Sequence, residues 1–157
     1  MEISRKTDYA MRMLAELVCN KDEIVSVRQA ANNNGVPYSF ARSIQHDLVR
    51  SGLVESIRGS HGGMRLAINP KETSILQIVE AIQGPVSVGE CDTGQPDEKT
   101  CPSAYDRAFN VVWDEAERLL RECLDAVTLH QVVIEGCHPE LLGPHEFAAV
   151  AGAAREA

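Results

Sequence analysis

GLVESIRGSHGGMRLAI, at residues 52–68, is the stretch of the sequence that decides the fold. Its first six residues have the β-branched, extended character of a strand, and its last five alternate apolar and polar side chains. Two such runs around a glycine-rich centre predict a β-hairpin. The centre carries Arg58 and His61 and no acidic residue. Its glycines are Gly59, Gly62 and Gly63. We expect them to permit positive φ angles and the close approach of a partner to the backbone.

A cationic, glycine-rich hairpin tip suits the minor groove or the phosphates of DNA. Taken alone, the tip is equally compatible with an ordinary hairpin loop, but the preceding segment favours DNA. Ser26 is a cap for a helix from Val27 to about Asn33, and another helix is predicted from about Tyr38 to Ser51. The short break between them, residues 34–37, contains a glycine and gives a helix-turn-helix pattern. A hairpin directly after this pattern predicts a winged helix.

The second helix of such a pair carries the side chains that reach base edges. Its predicted buried face consists of Phe40, Ala41, Ile44 and Leu48, and its other face is polar and partly cationic. Hydroxyl and cationic side chains suit phosphates and guanine or thymine edges. The predicted DNA contacts on the helix and the wing are Ser39, Arg42, Ser43, His46, Arg58, His61 and Gly62.

The remaining periodicities predict a mainly α-helical fold with one small β-wing. A first helix is expected over residues 4–19, and a fourth helix follows Thr73 or Ser74. Residues 103–127 contain no Gly or Pro and predict a helix about 37 Å long. Its coiled-coil seam consists of Tyr105, Phe109, Val112, Ala116, Leu119, Cys123 and Ala126. This pattern predicts a dimerisation helix, and the alternative is a long core helix covered by its own chain.

Charge and composition limit the class of function. The net charge of −8 divides into +3 for residues 1–71 and −11 for residues 72–157, so the N-terminal half suits DNA. We expect a cytoplasmic protein with reduced thiols, because the charged start predicts an amphipathic helix and no apolar run approaches membrane-spanning length. We find no glycine-rich phosphate loop, His-containing metal motif or nucleophile elbow, so an enzyme or metal-transfer protein is a remote alternative.

About the first 88 residues resemble the Rrf-two family of bacterial winged-helix repressors, whose members include an iron–sulfur-cluster regulator and a nitric-oxide sensor. The matching runs are Ser4–Ala10, Gly35–Phe40, Leu48–Val54, Ser56–Leu66 and Ile75–Pro85. The resemblance implies a homodimeric transcriptional regulator, usually a repressor. A two-fold protein would match a pseudo-palindromic operator on double-stranded DNA.

The resemblance also implies a cofactor. In the cluster-binding branch, the loop before the dimer helix carries three cysteines, and a fourth ligand comes from elsewhere, in some members from an acid on the first helix of the partner subunit. Cys91 and Cys101 match the first and last cysteines, no middle cysteine is present, and Asp8 matches the acid. Some members use two cysteines with a Glu at this position and a His four residues later. In this chain the residue four positions after Asp8 is Arg12, whose permanent charge prevents it from ligating iron.

Cys91, Cys101 and Asp8 leave an iron–sulfur cluster, expected as 2Fe–2S, one ligand short. Candidates for the missing ligand are Glu90, Asp92, Asp97, Glu98 and Tyr105. The alternatives are a regulator that responds through thiol oxidation, another metal or a partner protein, and a regulator without a cofactor. Cys19 and Cys123 lie on apolar helix faces and are predicted core residues, and Cys137-His138 is a weak ligand pair.

These predictions divide the chain into four parts. Residues 1–88 form the winged helix-turn-helix domain, 89–101 the cysteine loop, 102–135 the dimerisation helices and 136–157 a C-terminal tail that contains a short helix at about 144–154. The functional hypothesis is a repressor whose operator binding is switched by a cluster that senses redox state, nitric oxide or iron. Cluster loss would change the relative orientation of the two recognition helices of a dimer.

Overall fold

The computed structural model describes residues 2–21, 23–59, 61–88 and 104–136, with side chains from residue 109 onward in the last range. These ranges contain five α-helices: α1 (Arg5–Cys19), α2 (Val27–Asn33), α3 (Tyr38–Arg50), α4 (Ile75–Gln83) and α5 (Ala104–Asp125). Strands β1 (Val54–Ile57) and β2 (Gly63–Leu66) form one antiparallel hairpin. A π-helical segment, Gln131–Gly136, follows α5. The predicted mainly α-helical fold with a small wing is confirmed.

Local sequence explains where the helices begin. Ser4 and Ser26 accept hydrogen bonds from the backbone N–H groups of Thr7 and Gln29, at the starts of α1 and α2. Ser74 forms a capping box at the start of α4. Helix α3 differs, because it follows Pro37 and has no side-chain cap. The first N–H groups of α3 are therefore left for other acceptors.

One hydrophobic core joins α1, α2, α3 and the hairpin. The predicted inward residues of α1 are all buried: Ala10, Met13, Leu14, Leu17 and Val18. The prediction that Phe40 is buried was wrong, since it is 50% exposed and meets the Tyr9 ring edge-on at 6.1 Å between centroids. Phe40 lies on the side of α3 next to the start of α1, so its ring reaches the rim of the core only.

The two described cysteines also differ from the predicted core residues. Cys19 is exposed and Cys123 is half-buried. Cys19 is the last residue of α1, where the chain leaves the core, so the apolar periodicity of the helix overestimates its burial. The predicted short helix near residues 144–154 and the Cys137-His138 pair lie outside the described residues.

A second, smaller cluster connects α4 to α5. Leu76, Val79 and Val86 are buried there, and Leu120 and Leu124 of α5 pack against them. The predicted seam of α5 lies on another face, where Phe109 and Val112 are 59% and 56% exposed. Within the described part of the chain, no helix is long and apolar enough to cross a membrane.

Candidate nucleic-acid interface

Helices α2 and α3 form the predicted helix-turn-helix. Gly35 in the turn has a φ of +62°, a value that glycine adopts without strain, and the N–H of Val36 donates to the carbonyl of Ala31 at 2.9 Å. These contacts fix the entry into α3. The four predicted contact residues of α3 are all exposed, which agrees with the predicted polar outer face: Ser39, Arg42, Ser43 and His46.

The hairpin stands beside α3 as the predicted wing. Val54 pairs with Leu66 and Ile57 pairs with Gly63, so the tip begins where the sequence predicts it. The wing is fixed to the body through Val25, whose backbone exchanges two hydrogen bonds with Met64, at 2.8 and 3.0 Å. Arg58 and His61 are exposed near the tip, and Gly62 is half-buried between them and β2.

The reason for the wing glycines differs in part from the predicted one. Of the three, only Gly59 has a positive φ, of +123°. A Cβ on Gly62 would lie 2.5 Å from the carbonyl oxygen of Ile57, and a Cβ on Gly63 would lie 2.5 Å from that of Val25. Two of the glycines are therefore required by close packing of the protein's own backbone.

A cationic cluster at the start of α3 was missed by the sequence analysis. The guanidinium of Arg28, on α2, lies 4.8 Å from the centre of the Tyr38 ring. A hydrogen bond from Arg42, with the positive charges of Arg42 and Arg28, lowers the pKa of Tyr38. Arg28 is ten residues from Tyr38 in sequence, so only the packing of α2 on α3 reveals that they are neighbours. This cluster lies next to the uncapped first turn of α3.

Three arginines of the helix-turn-helix and wing differ from Arg65 and Arg118 in whether a carboxylate pairs with them. Among the residues that the structure describes, Arg28, Arg42 and Arg58 form no ion pair with a carboxylate. By contrast, Arg65 on β2 pairs with Glu55, and Arg118 on α5 pairs with Glu115 and Glu122. Arg28, Arg42 and Arg58 therefore carry positive charge that no carboxylate in the described ranges neutralises.

A partly buried ion pair joins α3 to α1. The carboxylate of Asp47 is 12% exposed and lies 2.6 Å from the Lys6 Nζ atom, with Arg50 at 3.5 Å and His46 at 3.8 Å. The hydrogen bond from Lys6 is the main cause that lowers the pKa of Asp47. Asp47 therefore stays charged, and its contact with Lys6 joins α3 to α1.

The predicted metal ligands are only partly described. Cys91 and Cys101 lie outside the described residues. Asp8 is exposed on α1, and its carboxylate pairs with Arg12 at 2.8 Å, the residue four positions later. No group of three His, Cys, Asp or Glu side chains in the described ranges is arranged to hold a metal ion. Of the three predicted ligands, the structure therefore describes only Asp8, whose side chain is half exposed.

A helix-turn-helix followed by a hairpin wing defines a winged-helix protein. A family model described as "Rrf2: Iron-dependent Transcriptional regulator" matches residues 3–135. The chain therefore belongs to the Rrf2 (Rrf-two) family, as the sequence motifs predicted. It is a transcriptional regulator and not an enzyme.

Individual relatives agree with this assignment. The chain is 30% identical over 145 residues to the HTH-type transcriptional repressor NsrR of Streptomyces coelicolor. The alignment covers 91% of this chain and 95% of that protein. Its fold is similar to that of CymR, the global cysteine regulator of B. subtilis, with 25% identity, a TM-score of 0.69 and coverage of 85% and 96%. T. potens IscR is 21% identical with a TM-score of 0.67 over 87% and 89% of the two chains, which supports the fold alone.

Proposed function

We propose that this protein is a cytoplasmic, homodimeric repressor that binds a pseudo-palindromic operator on double-stranded DNA. The observation that carries the proposal is the polar outer face of α3 beside the wing, where Arg28, Arg42 and Arg58 form no ion pair with a carboxylate in the described ranges. A polyanion is the natural partner of such a surface, because cations that release condensed counterions supply much of DNA affinity. The name of the Streptomyces relative supports a repressor.

The proposed DNA-contacting residues fall into three groups. Ser39, Ser43 and His46 lie on the outer face of α3 and are proposed to meet base edges in the major groove. Arg42, together with Arg28 and Tyr38, is proposed to hold a backbone phosphate at the start of α3, where free helix N–H groups also favour an anion. Arg58, His61 and Gly62 of the wing are proposed to contact the adjacent minor groove or its phosphates.

Selection of duplexes from a random-sequence library by the purified protein tests DNA binding. We expect one enriched, pseudo-palindromic sequence and an affinity that falls steeply with salt. Removing a phosphate contact with Arg28→Ala should reduce the salt slope by about one, whereas Arg118→Ala should leave it unchanged because Arg118 is already paired. Recovery of random duplexes only would contradict the proposal.

The proposed cofactor is a 2Fe–2S cluster held by Cys91 and Cys101, with Asp8 of the partner subunit as the third ligand. Its support is the chemistry of the donors, two thiols and a carboxylate on an exposed face, together with the iron-dependent family. When bound, such a cluster supplies a redox-active centre. The chain's own part is to hold Asp8 at its site, where Arg12 pairs with its carboxylate at 2.8 Å.

The ultraviolet–visible spectrum and iron content of anaerobically purified protein test the cofactor. We expect a coloured protein that contains iron and loses both on Cys91→Ser or Cys101→Ser. Asp8→Ala should weaken retention of the cluster without removing the thiol ligands. Colourless, iron-free protein after reconstitution would contradict the proposed cluster. It would not contradict the proposed DNA binding.

A second candidate keeps the DNA interface and replaces the cluster by thiol oxidation or a partner protein. The missing middle cysteine between Cys91 and Cys101, which leaves a cluster one ligand short, favours this alternative. The two candidates differ in what Cys91→Ser and Cys101→Ser change. Thiol oxidation predicts a loss of the response to oxidants in a protein that never contained iron. A partner-protein mechanism predicts an unchanged oxidant response.

Dimerisation is proposed through α5. Its far side packs on α4 through Leu120 and Leu124, while Phe109 and Val112 on the predicted seam remain exposed. Large exposed apolar side chains in a row on one helix are typical of a protein interface. Dimerisation also brings two recognition helices together, as a two-fold operator requires.

A further inference from the structure

We propose that Gln83, at the end of α4, is a positioning residue for DNA binding, which rests on the proposed function above. Gln83 does not lie on the cationic face of α3. It fixes the first turn of α1, and that turn in turn fixes α3. The end of α4 therefore sets how the recognition helix is presented.

The first link joins α4 to α1. The Gln83 Oε1 atom accepts a hydrogen bond from the N–H of Ser4 at 3.2 Å and one from the Thr7 hydroxyl at 2.7 Å. Its Nε2 group donates to the carbonyl of Glu2 at 3.3 Å. Thr7 is completely buried. One side chain thus holds three groups of a segment about 80 residues away, and it uses both ends of its amide to do so.

The second link joins the same turn of α1 to α3. Lys6 lies between Ser4 and Thr7, and its ammonium group reaches Asp47 of α3 at 2.6 Å. One turn later, Tyr9 meets Phe40 of α3. The two contacts lie seven residues apart on α3, which is about two helical turns. Helix α1 therefore braces the recognition helix at two points along one side.

The third link connects α4 to the parts of the chain that carry the sensor and the dimer helix. Glu80, one turn before Gln83, pairs with Arg121 of α5 and accepts a hydrogen bond from the N–H of Val86. Gly84 follows Gln83 with a φ of +89°, where the chain turns toward the cysteine loop. Glu80 and Gly84 both lie within one helical turn of Gln83, so a displacement of either residue is passed to Gln83. Helices α5, α4, α1 and α3 are thus joined in series by polar contacts.

Gln131 provides a matched control. Its Oε1 atom also accepts from one backbone N–H and one threonine hydroxyl, both of Thr128, at 2.9 and 3.1 Å. Gln83→Ala and Gln131→Ala therefore remove the same kind of contact. A purely structural role predicts that both lower stability and that neither changes DNA affinity. The positioning role predicts that only Gln83→Ala weakens binding.

The experiment measures affinity for a duplex selected by the wild-type protein. We expect Gln83→Ala to weaken binding about fivefold and Gln131→Ala to leave it unchanged. Gln83→Glu, which keeps the Oε1 acceptor but loses the Nε2 donor to Glu2, should restore only part of the affinity. Because the links act in series, Gln83→Ala combined with Asp47→Asn should bind no worse than the weaker single variant. Wild-type affinity of Gln83→Ala, or losses that multiply in the double variant, would overturn the proposal.

Hydrogen exchange of the DNA-free protein tests the same link independently. Gln83→Ala should speed amide exchange in α3 as well as in α1, and Gln131→Ala should leave α3 unchanged. Unchanged exchange in α3 would overturn the link even if Gln83→Ala weakens DNA binding. If the wild-type protein selects no duplex, the proposed function fails, and the exchange result alone decides the link. Thr7→Val, which removes one hydrogen bond to Gln83, serves if Gln83→Ala does not fold.

Discussion

Helices α3 and α5 are both amphipathic, but they leave different chemistry exposed. The outer face of α3 carries hydroxyl, imidazole and guanidinium groups, and its Arg42 forms a hydrogen bond with the phenol of Tyr38 and no ion pair with a described carboxylate. The exposed face of α5 carries Phe109, Val112 and Trp113, and its Arg118 is paired with two glutamates. Whether its arginines are already paired with carboxylates, more than how many arginines it has, separates a surface suited to phosphates from one suited to another protein.

The largest expected effect is on α5. Val112→Asp places a charge in the proposed dimer interface and should raise the dimer dissociation constant about 100-fold or more. Sedimentation velocity over a range of concentrations measures it. Val111→Asp is the matched control, because Val111 is 68% exposed but lies off the predicted seam. Equal effects of the two substitutions would mean that α5 does not associate through this seam.

The next effect concerns the cationic face of α3 and the wing. Arg42→Ala and Arg58→Ala should each weaken operator binding by about 1–3 kcal/mol, because each removes a contact to DNA. Titration of the selected duplex by fluorescence anisotropy measures the loss. Arg118→Ala, on α5, should bind as the wild-type protein does. Unaltered binding by both of the first two variants would contradict the assignment of helix and wing.

A smaller effect follows from the ion pair that holds α3. The pKa of Asp47 is lowered in the folded protein, so its stabilisation is complete above its unfolded pKa and is lost as the pH falls through its folded pKa. Asp47→Asn should lower the free energy of unfolding by roughly 1 kcal/mol at pH 7, since Lys6 is 41% exposed and partly screened. The difference should shrink as the pH falls below the ordinary aspartate pKa of about 4. Urea unfolding at several pH values measures it, and a constant difference would exclude this linkage.

The smallest effect is expected on the ion pairs of α5. The hydrogen bond from Arg118 lowers the pKa of Glu115, but both side chains are well exposed, and surface pairs of this kind contribute little. Glu115→Gln should therefore leave the urea midpoint within error at pH 7 and at pH 4. A loss as large as that of Asp47→Asn would show that exposure does not separate the two pairs.

Much of the fold could be predicted from the sequence because its signals are local. Ser26 and residues 34–37 predict the bounds of α2, and the glycine-rich tip predicts the hairpin. Phe40 could not be placed correctly, because periodicity alone does not say that the start of α1 lies beside it. The same limit applies to Gly62 and Gly63, whose packing against Ile57 and Val25 involves contacts between separate segments.

The candidate site shows the same division. The exposed residues of α3 and the wing were predicted from spacing, and the structure places them as exposed. Arg28 was missed, since its role depends on the packing of α2 against α3. The contribution of Cys91 and Cys101 stays a prediction, because these residues lie outside the described ranges.

The sequence by itself determined the helices, the hairpin and the family, because caps, periodicity and glycine positions act over a few residues. Only the tertiary structure decided which charges remain available and how the recognition helix is held. Lys6 and Asp47 are 41 residues apart, and Gln83 meets Ser4 across 79 residues, so no local signal relates them. Long-range polar contacts depend on the packing of whole helices. For that reason the wing could be read from residues 52–68, whereas the bracing of α3 could not.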